Sequence, residues 1–233
     1  MKYAIFGDVH ANYAALKAVL DHINITYGPA INFFIFAGDA VGQGPHPNEV
    51  CTLLRSRRNL IGVKGDNDAA VVSGNRTNLD ADATATIEWT RSVITKENRH
   101  FLDGLQDYAG IQSDNIEILV THGSPDNFKT GEVYQNVSSE DMKRLFDKTG
   151  ADILLTAHTH IPFVKQLDNK LIINVGSVGQ PRDRDPRACY VFMDTATRQV
   201  TFHRVSYNIT LTADSIKRAK LPDSFAERIY YGW

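Results

Sequence analysis

The sequence predicts a layered α/β fold with mixed sheets, and three observations carry that prediction. In the first half, short apolar runs alternate with segments of helical spacing. In the second half, paired apolar runs flank short turn signals. Five of the apolar runs end in a brief polar cluster, as strands do where they leave a sheet. Alternating strand and helix points to a layered α/β core, and the hairpins that follow add antiparallel strands, which makes the sheets mixed.

The elements follow in order. Residues 2–6 read as a buried strand. Leu16, Val19, Leu20 and Ile23 then recur at helical spacing. Residues 33–37 give a second strand. Residues 47–56 give a helix with Val50, Leu53 and Leu54 on one face and Pro47 in its first turn. Residues 60–63 form a third strand. Residues 68–106 are read as a mostly helical excursion, best defined over 80–93, of the kind that walls a site. Residues 116–120 return to a strand. Ser138 or Ser139 caps a helix carrying Met142, Leu145 and Phe146. Residues 153–156 are a strand. Runs 163–166 and 171–174 flank Asp168-Asn169 as a hairpin, and runs 188–193 and 199–205 form another. A polar helical tail is expected over 211–233. With no repeat and no low-complexity linker, residues 1–233 read as one domain with that tail appended.

Bulk properties exclude several classes. The chain has 233 residues, 42% hydrophobic and 22% charged, with a net charge of −2 and no block of like charges. A dedicated nucleic-acid surface needs a basic stripe, and none is present; a small nucleotide substrate is not excluded. Cys51 and Cys189 lack metal-type spacing and read as buried apolar residues of a reducing compartment. The apolar N-terminal stretch is too short for a signal peptide, and no run reaches membrane-spanning length. A cytoplasmic protein with no membrane partner is the expectation.

The polar clusters carry the chemistry. They are Gly7-Asp8-Val9-His10, Gly38-Asp39, Gly65-Asp66-Asn67-Asp68, Thr121-His122-Gly123 and Ala157-His158-Thr159-His160. Each is expected at a strand end, where open α/β sheets place their sites. In extended backbone, residues two apart face the same side, so Asp8 with His10, and His158 with His160, can converge. Gly7 and Gly38 would let their loops turn tightly. Mixed carboxylate and imidazole donors suit Mn, Fe, Co, Ni or Zn better than Ca or Mg. No cysteine is near, which argues against a structural zinc site. Taken singly, each cluster also reads as a turn or a cap; their joint occurrence in this order is the signal. His22, His46, His100 and His203 lack partners at useful spacing and read as solvated or structurally satisfied.

In that order the clusters resemble the signature of the calcineurin-like metallophosphoesterases. The stretches from Gly38 to Val50, Trp89-Thr90-Arg91, Thr121 to Pro125, and Asn174 to Asp183 are similar to a small bacterial and archaeal phosphodiesterase-like branch, often labelled protein phosphatase or diadenosine tetraphosphatase. The resemblance implies two packed mixed β-sheets flanked by helices. It implies two divalent transition-metal ions, manganese first. One would take Asp8, His10, Asp39 and His160; the other Asp39, Asp66, His122 and His158. A hydroxide bridging the ions would attack a small phosphoester or nucleotide substrate.

The sequence departs from that family at three places. Asp66 stands where the family usually has Asn, which leaves the inner charge of such a site roughly neutral and should favour monoanionic diesters over dianionic monoesters. Asn67 stands where phosphatase-like members have a histidine. It can donate a hydrogen bond but deliver no proton at neutral pH, and helix capping becomes the expected role of Asp68. Ala157 replaces a glycine, which negative φ would tolerate. Asp39 and Asn67 are therefore the candidate catalytic residues, with Asn67 and Arg182 as candidate substrate contacts. Arg182 could instead be a surface arginine paired with Asp183 or Asp185. The expected function is phosphodiester or nucleotide hydrolysis. A phosphoprotein phosphatase, a diadenosine tetraphosphate hydrolase and, in another class, a metal-stabilised protein-binding scaffold remain as alternatives.

Overall fold

The computed structural model describes residues 1–77 and 79–233; residue 78 of the expected helical excursion lies outside them. Ten strands and eight α-helices are found among the described residues. Strand β1 (Lys2–Phe6) leads through α1 (Tyr13–Thr26) to β2 (Phe33–Phe36), and α2 (Pro47–Arg55) leads to β3 (Leu60–Gly62). Three helices follow: α3 (Asp66–Ser73), α4 (Ala81–Val93) and α5 (Lys96–Gly104). Then come β4 (Tyr108–Ser113), β5 (Ile116–Thr121), α6 (Ser139–Thr149) and β6 (Ile153–Thr156). The hairpins are β7 (Phe163–Leu167) with β8 (Lys170–Asn174) and β9 (Ala188–Asp194) with β10 (Gln199–Val205). Helices α7 (Ile209–Arg218) and α8 (Asp223–Tyr231) complete the order.

The strands form two five-stranded mixed sheets, ordered β10-β9-β1-β2-β3 and β4-β5-β6-β8-β7. In the first, β1, β2 and β3 are parallel, and β9 runs antiparallel to β1. In the second, β5, β6 and β8 are parallel between antiparallel edges β4 and β7. Alternation along the strands explains how the sheets stack. Tyr3 and Ile5 face the second sheet and pack with Ile118, Ile153, Leu155 and Ile173. Ala4 and Phe6, one residue out of phase, face the helical layer with Leu16, Val19, Leu54 and Leu102. The far side of the second sheet is covered by α6 through Met142, Leu145 and Phe146. The result is helices, sheet, sheet, helix, as the family resemblance implied. Cys51 and Cys189 are buried free thiols. No helix among the described residues is long and apolar enough to cross a membrane.

Two elements differ from expectation. Strand β4 has no counterpart in the sequence reading. Its inward alternate residues are Ala109, Ile111 and the polar Ser113, and Gly110 interrupts the apolar signal. Helix α3 begins at Asp66, not after Asp68, so the third polar cluster forms the helix's first turn.

Of the histidines outside the clusters, His22 and His203 are structurally satisfied. His22 Nδ1 lies 2.8 Å from the Tyr190 hydroxyl and His203 Nε2 lies 2.7 Å from that of Tyr27.

Candidate metal centre

All five clusters follow strand ends: β1, β2, β3, β5 and β6. Those strands belong to two different sheets, and the stacking brings their ends together along one edge. The convergence of ligand side chains does not arise from extended backbone, as two-residue spacing suggested. Asp8, His10, Asp39, His158 and His160 all have left-handed φ, between 48° and 65°. Such backbone is costly for residues with a Cβ. It is held by backbone bonds from Asp8 N–H to Gly38 C=O at 2.9 Å and from His10 N–H to Asp39 C=O at 3.0 Å, and by a bond from His158 N–H to the Asp8 side chain at Oδ2, 3.1 Å. Gly38 adopts φ +93°, as a tight turn there requires; at the first cluster the left-handed turn falls on Asp8 instead of Gly7. Ala157 is not among the residues with positive φ, so it needs no glycine.

The seven expected ligand residues come together as two groups of three with Asp39 between them. Asp8, His10 and His160 form one, and Asp66, His122 and His158 the other. In the first, His10 Nε2 lies 3.0 Å from His160 Nε2, and His160 Nε2 lies 3.3 Å from Asp8 Oδ1. In the second, Asp66 Oδ1 lies 3.1 Å from His122 Nε2 and 3.2 Å from His158 Nδ1. Asp39 Oδ2 sits between the groups, 3.7 Å from His10 Nε2 and 3.5 Å from His122 Nε2. Asp8 Oδ1 also reaches across, to 3.9 Å from His122 Nε2.

Outer contacts orient these rings. His122 Nδ1 donates to Ala37 C=O at 2.8 Å and His160 Nδ1 to Gln180 C=O at 2.5 Å, which leaves each Nε2 as a lone-pair donor facing inward. Ser177 Oγ–H donates to Asp8 C=O at 2.7 Å, and Asn174 Nδ2 donates to Ala157 C=O at 2.8 Å, so both brace ligand loops.

The site is built for cations. Asp8 Oδ1 is fully buried and has no hydrogen-bond partner, a costly state unless a positive charge meets it. Burial, and then the nearby charge of Asp66, push the Asp39 carboxyl well above the usual carboxylate range. Burial would likewise depress His122, yet the carboxylates of Asp39, Asp66 and Asp8 raise it well above an ordinary imidazole. His10 goes the other way: burial lowers it to about 4, so it stays a neutral donor at physiological pH. Carboxylate and imidazole donors facing one another at 3–4 Å are what transition-metal coordination needs, and a bound cation would favour the ionised Asp39 carboxylate and the neutral His122 imidazole over the protonated forms they hold without one. The residues therefore fit two divalent ions.

Two residues have roles that sequence spacing could not show. Asp68 is buried, and its carboxylate accepts N–H bonds from Asp39, Ala40 and Val41 at 2.9, 2.9 and 3.2 Å, and from Gly65 at 3.1 Å. The last of these caps α3, as expected. The other three fasten the Asp39 loop to the helix. Asn67 donates from its backbone N–H to Asp39 Oδ1 at 2.9 Å and from Nδ2 to Asp39 Oδ2 at 2.6 Å. Asn67 is thus held against Asp39 through both its backbone and its side-chain nitrogen. Gly65 permits this approach, because a Cβ there would fall 2.0 Å from Asp39 Oδ1. Arg182 is exposed, and no partner is found for its side chain among the described residues. Asp183 is taken by Arg204, and Asp185 by Arg187. The surface-pair reading of Arg182 is therefore set aside. Its backbone N–H bonds to His160 C=O at 3.3 Å, and its charge acts on His10 and His160.

A two-sheet α/β sandwich with carboxylates and imidazoles at its merged strand ends is the architecture of a metal-dependent hydrolase. The chain belongs to the calcineurin-like phosphoesterase superfamily, whose domain model matches residues 1–198. It is 31% identical to an uncharacterized protein of Methanocaldococcus jannaschii, over 98% of this chain and 97% of that one. Its fold superposes on the crystal structure of a metallophosphoesterase from Sphaerobacter thermophilus with a TM-score of 0.85 and 30% identity, covering 100% and 99% of the two chains. A hypothetical protein from Pyrococcus horikoshii shares the fold at a TM-score of 0.92 and 23% identity, over 100% and 98%.

Proposed function

We propose that this protein is a phosphoester hydrolase that works with two divalent transition-metal ions, manganese first, and prefers phosphodiester or nucleotide-type substrates. The observation that carries the reading is the pair of ligand groups with Asp39 Oδ2 between them. Asp8, His10, Asp39 and His160 would hold one ion; Asp39, Asp66, His122 and His158 the other. When bound, the ions supply Lewis acidity, activate water at neutral pH and clamp the phosphoryl group.

The remaining residues supply position and charge. Asn67 and Gly65 fix the Asp39 carboxylate between the two groups. Arg182, whose guanidinium has no partner among the described residues, is suited to a non-bridging phosphate oxygen on the His160 side. No imidazole stands free to protonate a leaving group at the third cluster, and Asn67 Nδ2 is engaged by Asp39. Good leaving groups such as aryl alcohols should therefore react fastest. Every expected ligand position still carries a donor, which favours an enzyme over a scaffold.

The direct test is hydrolysis of bis-p-nitrophenyl phosphate by protein stripped with chelator and reloaded with manganese. Turnover is expected only after reloading. The same titration should raise the thermal midpoint. At a hundred times the dissociation constant the gain is about 2.7 kcal/mol, or roughly 5–10 °C for a chain of this size. Tight metal binding with no turnover for any divalent ion would move the protein to the scaffold class.

Asp66 adds a carboxylate to the site, so its replacement by Asn should shift specificity. We expect Asp66→Asn to raise the rate on p-nitrophenyl phosphate relative to its bis ester by about tenfold, the effect of one charge unit removed near a dianion. A monoester-to-diester ratio unchanged by the substitution would count against the charge argument.

A further inference from the structure

A cavity of about 410 Å³ opens beside the Asp66 and His158 side of the centre. Its volume lies within the range of small-molecule pockets. One wall is a single face of helix α3. Asp66, Ala69, Ala70 and Ser73 fall at i, i+3, i+4 and i+7, so the stripe that begins at a candidate metal ligand runs on as the pocket wall. Asn75, Thr77 and Leu79 from the segment after α3, and Lys129 and Thr130 from the segment after β5, complete the lining with His158.

The chemistry of that lining is selective. Ala69, Ala70 and Leu79 give its apolar surface. Ser73, Asn75, Thr77 and Thr130 are its neutral polar lining residues. The one cation lining the cavity among the described residues, Lys129, is ion-paired with Asp107. The one carboxylate, Asp66, points at the His122 and His158 nitrogens. Nothing there compensates a second phosphate. The pocket suits an uncharged group with apolar faces and polar edges, attached to a phosphate held at the centre. A nucleoside has that character.

We propose that this cavity is the subsite for the nucleoside of a nucleoside phosphate, and that the small side chains Ala69 and Ser73 on α3 set its size. The proposal rests on the phosphoesterase reading but is tested separately from it, by binding. Adenosine 5′-monophosphate and inorganic phosphate are titrated into the manganese-loaded protein by calorimetry, and the ratio of their affinities is read. The wild-type protein should bind the nucleotide at least about tenfold more tightly, a difference that burial of one organic arm readily supplies. In Ala69→Leu, and independently in Ser73→Leu, that ratio should fall towards one. Both substitutions keep good helix formers on α3, and a matching thermal midpoint confirms folding.

A wild-type ratio near one, or a ratio that survives both substitutions, would overturn the proposal. So would a phosphoserine peptide that binds more tightly than the nucleotide and is lost in the same variants, since the pocket would then serve a polypeptide. Hydrolysis of bis-p-nitrophenyl phosphate is measured alongside. Turnover without nucleotide preference removes only the subsite; absence of turnover removes the phosphoesterase reading while the binding ratio still decides the pocket.

Discussion

Asp39→Asn is expected to abolish manganese-dependent hydrolysis of bis-p-nitrophenyl phosphate, with a loss of at least about a thousandfold, the scale of removing a principal charge-stabilising group from a site. The geometry makes this change harsher than its isosteric appearance suggests. Asp39 Oδ1 accepts the Asn67 backbone N–H at 2.9 Å, and Oδ2 accepts Asn67 Nδ2 at 2.6 Å. Both oxygens therefore face donors. An amide has one acceptor and one NH₂ group, so one of its ends must confront a donor. The same Oδ2 lies 3.7 and 3.5 Å from His10 and His122 Nε2, where an NH₂ cannot serve as a ligand. Metal content should fall from two ions per chain towards one. Retention of two ions with more than about a tenth of the wild-type rate would show that Asp39 does not link the pair.

The second large effect is on stability. Asp68→Ala should lower it by about 3–5 kcal/mol, the range for breaking a buried charged network. That corresponds to roughly 6–20 °C in thermal midpoint for a protein of this length. Four backbone N–H groups, those of Asp39, Ala40, Val41 and Gly65, lose their acceptor together, and buried donors left unpaired are each costly. Burial, opposed by those N–H bonds, raises the Asp68 carboxyl above its usual range, so the four bonds offset a real desolvation penalty. Asp68→Asn should fall between wild type and Ala, because the amide keeps one acceptor but turns an NH₂ towards donors. Metal affinity should weaken in both variants, since the Asp39 loop loses its anchor. A midpoint within about 2 °C of wild type for Asp68→Ala would mean that water replaces the carboxylate at little cost.

These two residues also mark how far the sequence could be read. The strands were legible because their evidence is local: apolar runs at strand length, ended by glycine and polar residues. Every strand of the first sheet was visible in this way, and β4 was not, because Gly110 and its exposed alternate positions gave no continuous apolar signal. The candidate ligands were legible because residue type and the order of the clusters survive without coordinates. The role of Asp68 was not. Its bonds to residues 39–41 span nearly thirty positions, and nothing in its neighbours' identity records them. Arg182 shows the same limit in reverse. Asp183 and Asp185 beside it invited an ion pair that Arg204 and Arg187 had already claimed from other positions.

The sequence by itself determined the two mixed sheets, the strand-end placement of the polar clusters and the side chains available to hold metal. Only the tertiary structure decided how those side chains meet. Five of the seven candidate ligands sit in left-handed backbone, which no local preference of Asp or His would select over extended chain. The stacking of the sheets and the bonds between loops hold them there. The apparent convenience of two-residue spacing was a property of strands, and the ligands lie beyond the strands' ends. The pocket along α3 was decided in the same way, by a helix that starts at Asp66 and so turns a metal-ligand candidate and a run of small residues onto one face.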